Sequence, residues 1–161
     1  GTWLLELVRV LNRDHGFGMR VTVMSRHARS FAARWPHLGE LPGVRFQDGD
    51  IRYVTDLPRD VRYIIHAAAL TDRRLLASQP GMVAETNGLG TQRLLQMANL
   101  LEDLQKFVLL SSGLVYGAHP WELPEVTESF VGPLGTSINS VYAESKRFAE
   151  VVAQLLPGTS A

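Results

Sequence analysis

The sequence holds no cysteine, and that absence removes disulfides, thiolate zinc sites and cysteine nucleophiles together. It has no excess of charge either. Sixteen basic residues balance sixteen acidic ones, so no global field draws in nucleic acid or an anionic membrane, although the balance is compatible with a local basic pocket for a phosphate. No run reaches the ~18 consecutive apolar residues that a bilayer-spanning helix needs, and neither nucleic acid nor membrane is an expected partner. A basic stretch followed by an apolar one, the mark of a secretory leader, is missing from the first residues; the expected location is the cytoplasm. The five histidines, His15, His27, His37, His66 and His119, show no paired helical spacing and keep no acidic company, so no metal site is expected. There is no internal repeat and no low-complexity tract.

What is present fits one domain with a core: 161 residues, 45% of them hydrophobic. Trp3, Leu4, Leu7, Val8 and Leu11 recur at helical spacing, and Gly16-Phe17-Gly18 suits a helix exit. Val21 to Met24 reads as a short buried strand. Ala28 to Leu38 reads as a short helix ending near Pro36. Strands follow at Val44 to Gln47, Val61 to His66 and Phe107 to Leu110, with a long helix from Pro80 to about Leu101 despite Gly88 and Gly90, and a last helix from Val141 to Leu156. Strands alternating with helices predict an α/β fold, a parallel sheet with helices on both faces. Residues 118 to 140, rich in Pro and Gly and without periodicity, predict a functional loop.

Chemistry concentrates near the end of the chain. Tyr142 and Lys146 stand four apart, so on a helix their side chains project from one face with their polar ends close. An ammonium beside a phenol favours the phenolate, which suits a general base that takes a proton from a substrate hydroxyl as hydride leaves the same carbon. Taken alone, the pair reads more simply as half-buried packing and a solvated lysine. Its place after a long loop, behind a strand that ends in Ser111-Ser112, reverses that reading, because ligand sites in open parallel sheets lie at the carboxyl ends of strands.

Ser111-Ser112-Gly113-Leu114-Val115-Tyr116-Gly117 followed by Tyr142-Ala143-Glu144-Ser145-Lys146-Arg147 resembles the active-site signature of the extended short-chain dehydrogenases/reductases, the NAD-dependent epimerase/dehydratase family that includes nucleotide-sugar enzymes. Gly49-Asp50-Ile51, His66-Ala67-Ala68-Ala69 and Asn87-Gly88-Leu89-Gly90-Thr91 agree with it in order and spacing. The resemblance implies a Rossmann-like doubly wound parallel sheet. It gives Ser112 the reacting oxygen, Tyr142 the acid/base role, and Lys146 the nicotinamide ribose. Ser111 is the weaker serine, its simpler role being to cap the strand end. Asp50 and Ile51 would lie by the adenine, Ala67, Ala68 and Ala69 would let the cofactor approach the backbone, and Asn87 would support the site. Singly, Asp50 is a turn residue, His66 a satisfied buried histidine and Asn87 a helix-surface amide.

In dinucleotide folds an acidic residue ~20 positions past the glycine turn binds the ribose hydroxyls of NAD. Ser25-Arg26 stands there instead, and a guanidinium suits the 2′-phosphate of NADP; the cofactor is NAD or NADP, with NADP slightly favoured. Family dehydratases place acids just after the active-site serine or threonine, whereas Gly113 and Leu114 carry no proton. That departure favours 4-epimerisation or alcohol/carbonyl oxidoreduction of a nucleotide sugar, unless Glu122, Glu125 or Glu128 substitutes.

The resemblance also implies a partial domain. Only Gly1 remains of the glycine-rich turn that binds pyrophosphate, and the expected domain, 1–161, runs from the first helix through the Tyr-x-x-x-Lys helix. The first strand and the C-terminal substrate domain are expected to be missing, with a gap between the Val21 and Val61 strands. The expectation is an enzyme as the full-length parent and no turnover by the fragment alone. Other expectations are a nucleotide-sugar dehydratase, a non-catalytic dinucleotide-binding regulator or scaffold, or an oxidoreductase for another secondary alcohol such as a steroid or flavonoid. By resemblance, a homodimer would form through the 80–101 and 141–156 helices.

Overall fold

A computed structural model describes residues 1–123 and 125–155. They fall into two compact units that divide after Asp50.

The first unit opens with α1, Thr2–His15, whose end is set by Gly16 in the left-handed region, φ 64°, a conformation that costs glycine no Cβ clash. Asn12 then fixes the turn into the first strand: its Oδ1 accepts from the Met19 N–H at 2.7 Å and its Nδ2 donates to the Met19 carbonyl at 2.9 Å. Strands β1, Val21–Ser25, and β2, Val44–Asp48, pair in parallel from Val21↔Val44 to Ser25↔Asp48. The apolar residues of α1 are only partly buried. Leu5 and Val8 are buried, but Trp3 is 86% and Leu7 53% exposed, because within this unit α1 meets the short helix α3 rather than a full sheet.

The single helix expected over 28–38 is two, α2, Ala28–Arg34, and α3, Pro36–Gly39. Proline has no N–H to give and pushes the residue before it out of the helical region. Trp35 accordingly sits at φ −125°, ψ 71°. Asp48 at the end of β2 accepts from the Arg29 N–H at 3.0 Å and so ties α2 to the strand edge.

In the second unit β3, Tyr63–His66, pairs in parallel with β4, Lys106–Leu109, and the Leu110 N–H extends the ladder to the His66 carbonyl at 3.0 Å. Among the described residues the ladders are these two pairs. His66 and Phe107 are buried on one face of the β3–β4 pair, while Tyr63, Ile65 and Val108 on the other are exposed.

Helix α4, Arg73–Ser78, had no apolar period to announce it; its start is fixed by Asp72, whose carboxylate accepts from the Arg74 N–H. The long helix expected from Pro80 is continuous to Ala98 but not uniform. It runs as α5, Pro80–Ala84, a π-helical turn over Glu85–Leu89, and α6, Gly90–Ala98. A π turn adds a residue to the coil and is often found at functional sites. Here it carries Asn87 to the interior. Its glycines permit close packing: a Cβ on Gly88 would lie 3.2 Å from the Phe148 ring, and one on Gly90 only 2.8 Å from Ile51 Cγ2.

Residues 118–137 carry no helix or strand, as expected, apart from Pro124, which lies outside the described residues. Helix α7, Val141–Ala153, closes the unit; Leu156, the expected end of this helix, also lies outside them. No helix among the described residues is long and apolar enough to cross a membrane.

Gly90→Val should cost about 1–3 kcal/mol of stability, because the buried Ile51 has to move to admit the branched side chain. Urea denaturation of the variant beside the wild type measures it.

Candidate active site

The carboxyl end of β4 organises the candidate site. Lys146, only 3% exposed, extends from α7 and donates from Nζ to the Leu110 carbonyl at 2.5 Å. Burial holds its ammonium below the usual lysine range, with Glu150 pulling weakly the other way. One turn earlier on the same face, Tyr142 is half-buried. Ser145, between them, donates to the Tyr142 carbonyl at 2.8 Å and stays within its own helix.

Two residues past Leu110, Ser112 opens a 3₁₀ turn over Gly113–Tyr116, and its Oγ accepts from the Leu114 N–H at 3.3 Å. The sequence suggested a capping role for Ser111; in the structure Ser112 is the cap, and Ser111 is exposed. Capping uses a lone pair of the Ser112 hydroxyl and leaves its proton available to another acceptor.

Beneath the strand ends lies a buried polar chain. His66 Nε2 stands 2.8 Å from Thr91 Oγ1, and Thr91 donates its hydroxyl proton to the Asn87 carbonyl at 2.7 Å. A hydroxyl has one proton, so Thr91 accepts from His66 and the imidazole carries its hydrogen on Nε2. Burial, and secondarily the Lys146 charge, lower the His66 pKa to about 4; the ring is neutral at neutral pH. His66 is the satisfied buried histidine that the simpler reading described.

Asn87 is not a surface amide. It is 1% exposed, with Oδ1 accepting from the Leu70 N–H at 2.8 Å and Nδ2 donating to the Leu70 carbonyl at 3.3 Å. Both ends of the amide are committed to the residue that directly follows Ala67, Ala68 and Ala69. Any influence on a cofactor therefore runs through that segment. The first two alanines are exposed and the third half-buried, so small side chains leave the backbone open at the end of β3.

The structure thus gathers Lys146, the Ser111-Ser112 strand end, His66 with its three alanines, and Asn87 in the second unit. Ile51 belongs to the same unit, buried against the position of Gly90. In the first unit, Gly1 precedes α1 and its carbonyl accepts from the Leu4 and Leu5 N–H groups. Ser25 and Arg26 are exposed at the end of β1, and Asp50 is half-buried after β2. Thr91 and Arg147 received no role from the sequence, although both stand inside the quoted motifs. Arg147 donates to the Val115 carbonyl at 2.5 Å and the Gly132 carbonyl at 2.8 Å. Among the described residues no cluster of His, Asp and Glu is arranged to hold a metal ion.

The chain matches the NAD dependent epimerase/dehydratase family over residues 6–156. Its backbone resembles the crystal structure of DesIV, a dTDP-glucose 4,6-dehydratase from Streptomyces venezuelae with NAD bound, at 27% identity and a TM-score of 0.68, over 94% of this chain and 47% of that one. The UDP-glucuronic acid 4-epimerase from Bacillus cereus in complex with NAD is similar at 22% identity and a TM-score of 0.67, over 85% of this chain and 44% of that one. WbmF from Bordetella bronchiseptica in complex with NAD+ has 22% identity and a TM-score of 0.60, over 82% of this chain and 36% of that one. The chain therefore spans about half the length or less of these structures, and it shares their Rossmann-like fold. No curated protein sequence matches it.

Two outcomes follow from the buried polar chain. Asn87→Leu strands the Leu70 N–H and carbonyl away from water and should cost about 2–4 kcal/mol, read by urea denaturation. The His66 pKa lies below the value near 6.5 of an unfolded histidine, so the unfolded chain binds the proton first on acidification. Stability should fall by up to about 3 kcal/mol on this account between pH ~6.5 and ~4. His66→Asn, which keeps a donor for Thr91, should lack that part of the slope. Identical pH profiles for the two proteins would refute the assignment.

Proposed function

We propose, from the premise that the chain belongs to the NAD dependent epimerase/dehydratase family, that the whole protein is an NAD(P)-dependent nucleotide-sugar epimerase or oxidoreductase acting at a sugar hydroxyl. The observation that carries this is the buried Lys146 ammonium, one helical turn from Tyr142 on α7 and bound to the Leu110 carbonyl, two residues before Ser112.

In this reading Tyr142 removes and returns the proton of the sugar hydroxyl. Its half-buried ring leaves it within reach of a substrate, and no hydrogen bond to another described residue occupies the phenol. Lys146, one helical turn away, is in this reading the donor for a ribose hydroxyl of the cofactor. Ser112 uses its remaining proton to hold the reacting oxygen.

The open backbone at Ala67–Ala69, held from behind by Asn87, fits the close approach of a dinucleotide. Asp50 and Ile51 would lie by the adenine, Gly1 at the pyrophosphate and Ser25-Arg26 at the adenosine ribose. When bound, the oxidised nicotinamide supplies the hydride acceptor. The three similar structures hold NAD; exposed Arg26 supports acceptance of a 2′-phosphate as well.

Epimerisation or simple oxidoreduction is favoured over dehydration by Gly113 and Leu114. Packing does not forbid an acid there. A Cβ on Gly113 meets nothing within 4 Å, and Leu114 is exposed. Lack of space therefore does not account for the missing carboxyl group, which supports the reading. Of the loop carboxylates, Glu128 is engaged as the acceptor of the Tyr116 hydroxyl at 2.5 Å. Leu89, Phe148 and Val151, exposed on the π turn and α7, support a homodimer through these two helices.

With NAD+ or NADP+ and a panel of UDP-, dTDP-, CDP- and GDP-sugars, Tyr142→Phe should lose roughly 10²–10⁴-fold in kcat. Its dinucleotide Kd should stay close to that of the wild type. Undiminished turnover in the variant would remove Tyr142 from the mechanism.

A further inference from the structure

We infer that Arg147 is a positioning residue, which holds Ser112 in register with Tyr142 by fastening the exit of the Ser112 turn to the catalytic helix. The inference rests on the proposed roles of Ser112 and Tyr142 and concerns what fixes the distance between them.

Consecutive residues of α7 grip the chain on both sides of Ser112. Upstream, Lys146 binds the Leu110 carbonyl; downstream, Arg147 Nε binds the Val115 carbonyl at 2.5 Å. Between those points the chain has little freedom. The Leu110 N–H is tied to His66, the Leu114 N–H to Ser112 Oγ, and the Val115 N–H to the Ser112 carbonyl at 3.1 Å. Ser112 therefore sits in a hydrogen-bonded turn whose two ends are both held by α7.

The other arm of Arg147 secures the long loop. Its Nη2 donates to the Gly132 carbonyl at 2.8 Å, while the Gly132 N–H donates to the Tyr116 carbonyl at 2.8 Å and the Ala118 N–H to the Pro133 carbonyl at 3.2 Å. One planar guanidinium thus closes both sides of the segment that returns from the Ser112 turn. A lysine has the charge and the donors but not the planar fork, so it lacks the pre-set geometry with which Arg147 meets the two carbonyls together. Among the described residues Arg147's partners are carbonyls rather than carboxylates, which marks it as a fastener of backbone and not half of an ion pair.

The arrangement separates two duties that fall on neighbouring residues. In the proposed reaction Lys146 is needed at the cofactor ribose, and any weakening of its bond to Leu110 leaves Arg147 as the fixed hold on Ser112. A displacement of order 1 Å in a reacting group can cost about 10²-fold in rate, so loosening the turn should appear in kcat and not in cofactor affinity.

The test is a double-mutant cycle in the protein, using NAD+ and whichever sugar nucleotide of the panel the wild type turns over. Arg147→Met should lower kcat about 10- to 100-fold, with the Kd for NAD+ within about twofold of wild type, and Arg147→Lys should fall between them. Ser112→Ala and Arg147→Met should be strongly non-additive, the double variant losing little more than Ser112→Ala alone. Where the Met variant loses its fold, by far-UV circular dichroism, the same cycle with Arg147→Lys gives the answer. Unchanged kcat in the Arg147 variants, or losses that multiply, would overturn the inference while leaving the catalytic proposal standing. Full turnover by Tyr142→Phe or Ser112→Ala would instead bring down the catalytic proposal and this inference with it.

Discussion

The hydrogen bond from Lys146 to the Leu110 carbonyl is the constraint on which the rest of the second unit depends. A buried ammonium is expensive unless polar groups replace its water. The cost is met here by one residue with two duties: the Leu110 N–H completes the β3–β4 ladder to His66, and its carbonyl receives the lysine. Sheet pairing and the placement of α7 are thereby coupled. A shift of the strand register would carry the Leu110 carbonyl away from Nζ and strand the charge. The same charge bears on the neighbouring histidine, since a second cation beside Lys146 would raise the cost. Burial and that ammonium act together to keep His66 neutral.

Neutrality gives His66 a defined hydrogen position, and the remaining links follow from proton counting. His66 donates to Thr91, Thr91 donates to the Asn87 carbonyl, and the Asn87 side chain encloses the Leu70 backbone. No buried polar side-chain atom among the described residues is left without a partner. Buried networks of this kind specify a structure only when every member is satisfied. The π turn permits this one by bringing Asn87 inward, and Gly88 and Gly90 let Phe148 and Ile51 close over it.

The parts of the structure legible in the sequence were those with a period or a motif. Short β-branched runs gave four strands, paired in parallel, and Tyr142 to Lys146 gave the face of α7. Pro36 announced a break that the sequence placed at a helix end and the structure places between two helices. The π turn has no signature in apolar spacing, because one added residue preserves the run of apolar positions while changing which of them point inward. Asn87 was consequently read as a surface amide when considered singly. On α1 the apolar spacing announces the helix but not its burial, which depends on what the unit offers to cover it; Leu5 and Val8 are buried while Trp3 and Leu7 stay exposed. Ser112 and Ser111 could not be separated by type, since the cap depends on which serine precedes the 3₁₀ turn.

Two asparagines show how burial changes the value of one geometry. Asn12 and Asn87 each bind both the N–H and the carbonyl of a single later or earlier residue, Met19 and Leu70. The Asn12 clamp is exposed, so water can replace its bonds and its loss leaves nothing stranded. At Asn87 water has no access, and removing the amide leaves both groups of the Leu70 backbone to bear their full desolvation cost. The same motif is thus a local turn in one place and a structural anchor in the other. It is the anchored copy that stands behind Ala67–Ala69, where small side chains open the backbone at a strand end. A segment that has to stay open to a ligand gains no rigidity from side-chain packing on its exposed side; its rigidity has to come from behind, and the buried amide supplies it.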